Sequence, residues 1–391
     1  MVYHLCEHLG ILNLCIQLNK SENLDSVLTS LCLEEHIDVD ILGNFSGKTF
    51  QIAGAIGRGR MLVSNEINAA RCVTLAANVE RLGLRQVVVT NAGAADFGEL
   101  TPGFFDFIAV DAPCSGEGMF RKTPEAIDEW SPDAPAFCAA RQWEILSSVL
   151  PALKEGGTLL YSTCTHAPED NEDTVAHLLS ACPALELLPI TAPSILALTG
   201  PGLPRPGVPA GATRRHYPHT GEGEGQFFAL FRLTEPIGES NRKPVREEKP
   251  ARQNKETQEA ITTAKRFLDD LFPTLTLQPT PFKDRIVLSP DSLPFPERLI
   301  YASGVTVGEV RKRRLIPHHA LFAAYGDECR VKLDYPATSP EIAAYLHGDV
   351  FPAPGAPDGW AAILCDGVPL GGIKISQGVA KNHYPKGLRK R

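Results

Sequence analysis

Two cysteines each come directly after a segment with the pattern of a buried strand. Cys114 lies in the run Asp-Ala-Pro-Cys-Ser-Gly-Glu-Gly at 111–118, which follows the apolar residues 104–110. Cys164 lies in Ser-Thr-Cys-Thr and follows the strand-like residues 158–163. Ligands of open parallel sheets bind beyond the carboxyl ends of the strands, so both thiols are predicted at one such edge.

A pair of thiols at this edge could activate a pyrimidine ring. Carbon 5 of cytosine is a poor nucleophile, but a thiolate that adds to carbon 6 makes it an enamine-like carbon able to attack a sulfonium methyl group. The proton on carbon 5 must then leave and the thiolate must be eliminated, and a second cysteine could assist by acid/base chemistry. Asp111 is placed to hold the Watson–Crick edge and favour protonation at ring nitrogen 3.

The alternative for any single cysteine is a small buried hydrophobic residue. That interpretation is preferred for cysteines without such sequence context, namely Cys72, Cys138, Cys182, Cys329 and Cys365. The chain has ten cysteines with no Cys-x-x-Cys pair and no histidine spacing typical of zinc, so we expect no metal.

Residues 47–232 alternate strand-like and helix-like segments, which predicts an α/β domain with a parallel sheet and covering helices. The expected strands are 61–64, 86–90, 104–110 and 158–163. The expected helices are 68–83, closed by Gly83, and 141–154. This arrangement places Glu66, Asp111 and Cys164 at the same edge.

The composition changes after this domain. Residues 233–262 are rich in Lys, Arg, Glu, Gln, Asn and Pro, which predicts a flexible polar linker. Residues 263–391 regain apolar segments separated by Gly and Pro turns, which predicts a smaller β-rich C-terminal region.

The formal net charge of −8 would repel nucleic acid as a whole, so RNA contact would depend on local basic clusters. Three clusters are present: 214–216, 311–314 and the tail 381–391. Taken alone, such runs are more often solvated faces than RNA contacts. No apolar run reaches the ~18 residues of a membrane span and the start lacks a basic leader, so we expect a cytoplasmic protein.

Taken together, these motifs resemble the Nop/Sun-type RNA cytosine-5 methyltransferases, in particular the bacterial RsmF-like group. The matching segments are 111–122, 129–132, 156–158, 162–165, 169–172, 219–228 and 381–389. The resemblance implies a Rossmann-like S-adenosylmethionine-dependent methyltransferase fold with a PUA-like C-terminal RNA-binding domain. It further implies Cys164 as the nucleophile, Cys114 as the residue that aids product release, and small-subunit ribosomal RNA as the partner of a monomeric enzyme.

The resemblance also implies a cofactor-binding turn after the first strand, which has the sequence Pro-Gly-Gly-Lys-Thr in the family. Here residues 40–49 carry Phe45 and Ser46 in place of the proline and first glycine, and Leu42 and Asn44 in place of small residues. A β-carbon at Ser46 would cost ~1 to 2 kcal/mol if the turn needs a positive φ. The cofactor contacts expected from the family are Leu42, Gly43, Asn44, Phe45, Ser46, Gly47, Lys48, Glu66, Gly93 and Asp111.

Within that set, Glu66 is expected to bind the ribose hydroxyls, with an ordinary exposed carboxylate as the alternative. Gly93 is a candidate for a backbone contact near the adenine. His219 and the Gly-rich run after it form either a turn or part of the active-site rim.

Residues 1–46 match nothing expected of the family and are interpreted as an atypical segment. A different reading frame, an alternative start or a decayed gene end would explain it, and each would also replace the first strand.

Three functions are therefore considered. The first is an RNA cytosine-5 methyltransferase that acts through a covalent Cys164 adduct. The second is a catalytically impaired RNA-binding relative that has lost the cofactor turn. The third is a methyltransferase with a small-molecule substrate, which explains neither the cysteine pair nor the basic tail.

Overall fold

A mixed β-sheet organises the first part of the chain. The computed structural model describes residues 39–42, 49, 52–53, 61–220, 223–237, 255–289, 295–311 and 314–390. The strands in these ranges are β1 (Val39–Leu42), β2 (Leu62–Asn65), β3 (Val87–Thr90), β4 (Phe105–Asp111), β5 (Leu153–Thr163), β6 (Leu185–Leu188), β7 (Gly200–Pro201), β8 (Arg214–His216), β9 (Gln226–Leu233), β10 (Thr280–Phe282), β11 (Arg285–Leu288), β12 (Ile300–Ser303), β13 (Val305–Arg311), β14 (Arg314–Pro317), β15 (Lys332–Tyr335), β16 (Phe351–Pro352), β17 (Gly359–Cys365), β18 (Val368–Ser376) and β19 (Val379–Asn382). The α-helices are α1 (Ala69–Arg81), α2 (Ala94–Leu100), α3 (Glu125–Glu129), α4 (Ala134–Val149), α5 (Thr174–Ala181), α6 (Pro193–Leu198), α7 (Lys255–Leu271), α8 (His319–Tyr325) and α9 (Pro340–His347).

The order of the first five strands defines the fold. They are parallel and lie in the order β3-β2-β1-β4-β5, which is the open, doubly wound pattern of a Rossmann-like domain. Strand β9 continues the sheet antiparallel to β5 and pairs on its other side with β6 and β8. The predicted α/β Rossmann-like class is confirmed.

The first strand corrects one expectation. Strand β1 lies at the centre of the sheet, where Val39 aligns with Leu62 of β2 and with Phe107 of β4. The α/β domain expected to begin at residue 47 therefore takes its central strand from residues 39–42, whereas the origin suggested for residues 1–46 stays a prediction. Residues 1–38 and the cofactor turn at 43–48 lie outside the described residues.

Burial on both faces explains why β3 begins with three consecutive valines. In β3, Val88 packs into the cluster on one face of the sheet, whereas Val87 and Val89 pack into the cluster on the other. Alternating side chains of a strand point to opposite faces, so a parallel strand covered by helices on both sides needs apolar residues at every position.

Helix α1 confirms the predicted helix at 68–83 and shows why it must end in glycine. Asn68 caps its start by accepting hydrogen bonds from Ala70 and Arg71. Gly83 follows its end with φ +63°, and a Cβ there would lie 2.5 Å from the backbone of Ala323 in α8. Because no side chain fits this contact, Gly83 allows the C-terminal part to dock closely.

The next predicted helix is displaced in the structure. Helix α4 begins at Ala134 rather than at 141, with a proline in its first turn, where proline is tolerated. It ends at Val149, and a short 3₁₀ turn containing Pro151 leads into β5 at Leu153. The strand is therefore longer than the predicted residues 158–163.

The C-terminal part is β-rich, as predicted. Its strands form a four-stranded sheet, β10-β11-β13-β14, and a five-stranded sheet, β15-β17-β18-β19-β16. Helix α7 packs against the four-stranded sheet through Ala264, Leu268 and Leu271. Because α7 begins at Lys255, residues 255–262 are helical, and the predicted linker at 233–262 is wrong over that stretch; residues 238–254 lie outside the described ones.

One strand joins the C-terminal part to the first sheet. Strand β12 pairs antiparallel with the outer edge of β3, where Ile300 aligns with Thr90 and Ser303 with Val88. Arg85 strengthens this junction by donating to Asp327 at 2.7 Å and to Glu328 at 2.6 Å. The two parts of the chain are therefore packed into one body along this edge.

Candidate active site

The two predicted thiols meet at the carboxyl edge of β4 and β5. The Sγ atoms of Cys114 and Cys164 lie 3.4 Å apart, within hydrogen-bonding distance for sulfur. This separation is well beyond the ~2.05 Å of a disulfide bond. The structure therefore brings together two reduced thiols on adjacent strands.

The contact between the thiols determines which of the two keeps its proton. The hydrogen bond to Cys164, followed by burial, raises the pKa of the Cys114 thiol far above its usual range. Two thiolates cannot coexist at this distance in a partly buried site. Cys114 therefore keeps its proton and acts as the donor when Cys164 ionises.

Asp170 holds the loop that carries Cys114. Its Oδ2 accepts from the backbone N–H of Ser115 at 2.9 Å and from the Ser115 hydroxyl at 2.6 Å, and its Oδ1 accepts from Gln142 at 3.1 Å. Gln142 also donates to the carbonyl of Pro113 at 2.9 Å and accepts from the buried Tyr161 hydroxyl. Burial raises the pKa of Asp170, while these hydrogen bonds favour its ionised form.

Glu117 holds the loop that carries Cys164. Its Oε2 accepts from the Thr165 hydroxyl at 2.7 Å and from the backbone N–H of His166 at 3.0 Å. The Thr165 hydroxyl also lies 2.7 Å from the Ser115 hydroxyl. Asp170, Ser115, Thr165 and Glu117 thus lie in a continuous row of polar contacts that fixes both cysteine loops. Each hydroxyl has one proton, so the contact between Ser115 and Thr165 is a hydrogen bond when one of the two carboxyl groups is protonated.

Glycine allows these loops to come close enough. Gly118 donates its N–H to the carbonyl of Cys164 at 3.0 Å, and a Cβ at Gly118 would lie 2.7 Å from that oxygen. It would also lie 2.9 Å from the backbone of Gly225, which begins the approach to β9. The repeated glycines in the motifs at 111–118 and 219–228 therefore serve backbone contact.

The basic cluster 214–216 is not the solvated face that such runs usually form. In the basic cluster 214–216, Arg215 is 2% exposed and forms a salt bridge with Glu172, which is 0% exposed. Arg215 also donates to the carbonyl of His166 at 2.8 Å. Breaking such a buried pair leaves an uncompensated charge, so Arg215 supports the Cys164 loop rather than binding RNA.

Only some of the residues predicted to bind the cofactor lie within the described ranges. Asp111 ends β4, and its Oδ1 accepts from the Ser162 hydroxyl at 3.2 Å. Glu66 follows β2 and is 3% exposed, so the alternative of an exposed carboxylate is wrong. Its Oε1 accepts from the backbone N–H of Asn68 at 2.8 Å and from Arg71 at 3.0 Å.

The other residues expected to contact the cofactor are Gly93, Leu42 and residues 43–48. Gly93 is the N-cap residue directly before α2, and its N–H donates to Asp96 at 2.9 Å. That donor is used within the protein, so the expected backbone contact of Gly93 with a ligand is not supported. Leu42 is the last residue of β1, whereas Gly43, Asn44, Phe45, Ser46, Gly47 and Lys48 lie outside the described residues. Thr49, just past the turn, lies 2.7 Å from the Ser64 hydroxyl of β2.

A stack of three rings that begins at His166, two residues after Cys164, was only partly anticipated from the sequence. His166 stacks on Tyr217 with ring centroids 5.4 Å apart and an interplanar angle of 23°, and Tyr217 faces His219 at 5.4 Å and 32°. Burial lowers the pKa of His166. His219 lies in a turn closed by the hydrogen bond from Thr220 to the Tyr217 carbonyl, which confirms one of its two interpretations, and its place on the rim of the site stays a prediction.

The other cysteines within the described residues lack comparable surroundings. Cys72, Cys329 and Cys365 are buried in the cores, which confirms their interpretation as packing residues. Within the described ranges, no cluster of three or more His, Cys, Asp or Glu side chains is arranged to hold a metal ion. No helix in those ranges combines the length and apolar character required to cross a bilayer.

Sequence reasoning missed the supporting network. Asp170 and Glu172 fall in an acidic run that was used only as a motif, although its π-helical turn at Glu169–Asp173 directs them to different loops. Gln142 lies in no motif, and Tyr161 was noted only as part of the segment that leads to Cys164. Their roles depend on contacts between residues distant in sequence.

Comparison with known proteins agrees with this geometry. A family model described as 16S rRNA methyltransferase RsmB/F matches residues 31–232, and one described as the methyltransferase RsmF PUA domain matches residues 332–390. The match from residue 31 shows that the likeness does not begin near Gly47, as the sequence had suggested.

Individual relatives cover different shares of the chain. The ribosomal RNA small subunit methyltransferase F of Klebsiella pneumoniae is 31% identical over 370 residues, or 90% of this chain and 72% of that protein. That of Escherichia fergusonii is 37% identical over 204 residues, or 51% of this chain and 40% of that protein. The crystal structure of NSun6 from Pyrococcus horikoshii is 25% identical, covers 54% of this chain and 52% of that one, and has a TM-score of 0.45.

Proposed function

The chain belongs to the 16S rRNA methyltransferase RsmB/F family, and from this premise we propose that it methylates carbon 5 of a cytosine in small-subunit ribosomal RNA. The observation that carries the proposal is the pair of sulfur atoms, Cys114 and Cys164, 3.4 Å apart at the sheet edge. A target base there would lie within reach of a nucleophile and of a proton carrier at once.

The residues of the site account for each step on the base. The Cys164 thiolate adds to carbon 6 of the cytosine, and the electron pair of the 5,6 double bond then makes carbon 5 nucleophilic. Asp111 holds the Watson–Crick edge of the ring during this addition. After carbon 5 has gained the methyl group, its proton passes to a water molecule, the electron pair of that C–H bond re-forms the 5,6 double bond, and the carbon–sulfur bond breaks so that Cys164 leaves as a thiolate. Cys114, whose raised pKa keeps it protonated, stabilises that thiolate by donating its S–H.

The cofactor is S-adenosylmethionine, which supplies an electrophilic methyl group on a sulfonium sulfur. Two residues at the described edge of the sheet are suited to contact this cofactor. Glu66 presents a buried carboxylate after β2, where an acidic residue of such folds binds ribose hydroxyls, and Asp111 lies at the end of β4. These two residues would hold the cofactor together with the turn at 43–48.

The test is methyl transfer from labelled cofactor to small-subunit ribosomal RNA. We expect Cys164→Ala to abolish transfer, and Cys114→Ala to accumulate a covalent protein–RNA complex that resists denaturation. Cys182→Ala is the matched control, because that thiol lies at the end of α5 outside the hydrogen-bond network. Full activity of Cys164→Ala would show the mechanism to be wrong.

A catalytically impaired RNA-binding relative is the second candidate, favoured by one observation. Phe45 and Ser46 stand where the family has proline and glycine in its cofactor turn. Calorimetry separates the two: no heat of S-adenosylmethionine binding together with salt-sensitive RNA affinity would favour the impaired relative. Cofactor binding in the micromolar range would favour the enzyme.

The remaining expectations concern the protein's state. We propose that it acts as a monomer in the cytoplasm and without a metal ion. Sedimentation of the protein alone and with small-subunit RNA, and activity in the presence of a chelator, test these expectations directly.

A further inference from the structure

The three stacked rings beside Cys164 have an arrangement that the reaction on the target base does not use. His166 lies two residues after the nucleophile, and Tyr217 and His219 continue the stack away from it. His166 and Tyr217 are half-buried, whereas His219 is exposed. The stack thus leads from the active site to the surface.

The stack is built into the site rather than resting on it. The backbone N–H of His166 donates to Glu117, and its carbonyl accepts from Arg215. The ring of His166 rests on Gly225, where a Cβ would lie 2.3 Å from the ring. Both cysteine loops and the approach to β9 therefore fix the first ring of the stack.

A cationic group lies on the same rim. Arg121 is 61% exposed and donates through Nη2 to the carbonyl of Gly223 at 2.8 Å and to Glu224 at 3.3 Å. A guanidinium carries five N–H donors, and both of these contacts use one nitrogen. Arg121 is therefore held at the rim with a fixed orientation suited to a phosphate oxygen.

We propose that His219, supported by the Tyr217 ring behind it, presents a stacking face for the unpaired nucleotide next to the target cytosine, with Arg121 contacting its phosphate. This inference depends on the proposed function. A base that enters the site of Cys164 must leave its neighbours, and each neighbour then loses a stacking partner. Aromatic rings replace that partner for any base, because every base has a π-face.

The test uses a single-stranded oligouridine RNA with one central cytosine and 2-aminopurine beside it. Stacking on an aromatic ring quenches 2-aminopurine fluorescence. We expect the full-length protein to quench it, and Tyr217→Ala to lose that quenching and bind about tenfold more weakly. Tyr217→Phe keeps the ring and should remain within about twofold of the unchanged protein. Tyr301→Ala, which removes a half-exposed ring on β12, is the control.

Methyl transfer to small-subunit RNA separates this inference from the proposed function. A platform that only binds RNA predicts that Tyr217→Ala raises KM and leaves kcat nearly unchanged. If the unchanged protein transfers no methyl group but shows the ring-dependent quenching, the proposed function fails and the platform stands. If it transfers methyl groups and Tyr217→Ala neither weakens RNA binding nor reduces quenching, only the platform is wrong.

Two further outcomes are decisive. A fall in kcat with unchanged KM would show that Tyr217 positions the Cys164 loop and would overturn the proposal. If Tyr217→Ala does not fold, His219→Ala replaces it, because His219 is exposed and its loss leaves the core intact. Binding and quenching by His219→Ala equal to those of the unchanged protein would then overturn the proposal.

Discussion

The backbone N–H of Asn91 donates a hydrogen bond to the carbonyl of Leu299 at 2.9 Å. The side-chain amide of Asn91 in turn donates to the carbonyls of Glu66 at 2.5 Å and Ile67 at 3.0 Å. Asn91 thereby connects the segment before β12 to the loop that carries Glu66, the residue proposed to bind the ribose hydroxyls of the cofactor. The C-terminal part thereby contacts the proposed cofactor site without belonging to it.

We predict that Asn91→Ala weakens S-adenosylmethionine binding by about three- to tenfold, since each lost hydrogen bond is worth about 1 kcal/mol. Calorimetric titration measures the change. Gln278→Ala, at an exposed amide that bonds only locally to Thr276, serves as the control. Equal affinity of Asn91→Ala and the unchanged protein would contradict this role.

The two sulfurs are close enough to be oxidised as a pair. We predict that diamide, which accepts two electrons and two protons, converts the Cys114 and Cys164 thiols into a disulfide, because closing from 3.4 Å needs only a small loop movement. Methyl transfer should be lost and should return with dithiothreitol. Peptide mapping without reductant should find the two cysteines linked, and alkylation of both thiols after diamide would refute the prediction.

Replacing Gly118 by alanine should disturb the two cysteine loops sterically. In Gly118→Ala the new Cβ would lie 2.7 Å from the Cys164 carbonyl, and backbone atoms cannot move aside cheaply. We expect methyl transfer to fall by about tenfold or more, as small displacements of reacting groups have large effects on rate. Gly200→Ala is the control, since its nearest neighbour would be 3.9 Å away. Similar rates for the two variants would show that the loops can separate without loss.

His319 makes the C-terminal part sensitive to acid. Burial, with smaller effects from His318 and Arg81, lowers the pKa of His319 to about 4. The folded-state pKa lies below the unfolded value near 6.5, so the stabilisation is complete above pH 6.5 and declines as the pH falls towards 4. At pH 5 the loss from this group is at most about 2 kcal/mol.

Urea unfolding at pH 7 and at pH 5 measures this loss. His319→Gln should show a smaller difference between the two pH values than the unchanged protein. His347→Gln removes an exposed histidine paired with Asp349 and should leave the difference unchanged. A pH dependence of His319→Gln as steep as that of the unchanged protein would assign the effect to other groups.

The sequence predicted what local patterns encode. The alternation of apolar segments gave the parallel sheet, and Asn68 and Gly83 marked the limits of α1 to within two residues. The cysteine motifs correctly placed Cys114 and Cys164 together, because both follow strands that are neighbours in the sheet.

Features that depend on contacts between residues distant in sequence could not be predicted from the sequence. Arg215 has the pattern of a surface cation, and only the fold brings Glu172 to it. The beginning of α7 was hidden because Lys255, Glu256 and their neighbours are polar, and only its later turns carry the buried residues. Strand β12 could not be assigned to the first sheet, since its partner in β3 lies far earlier in the chain.

That late pairing has a consequence for biosynthesis. While the ribosome is still extending the chain, the outer edge of β3 has its N–H and C=O groups exposed until β12 emerges. An exposed strand edge can pair with another copy, and contacts between distant residues form slowly. Nascent chains that stall before residue 300 should therefore be the species most prone to aggregate and most dependent on chaperones.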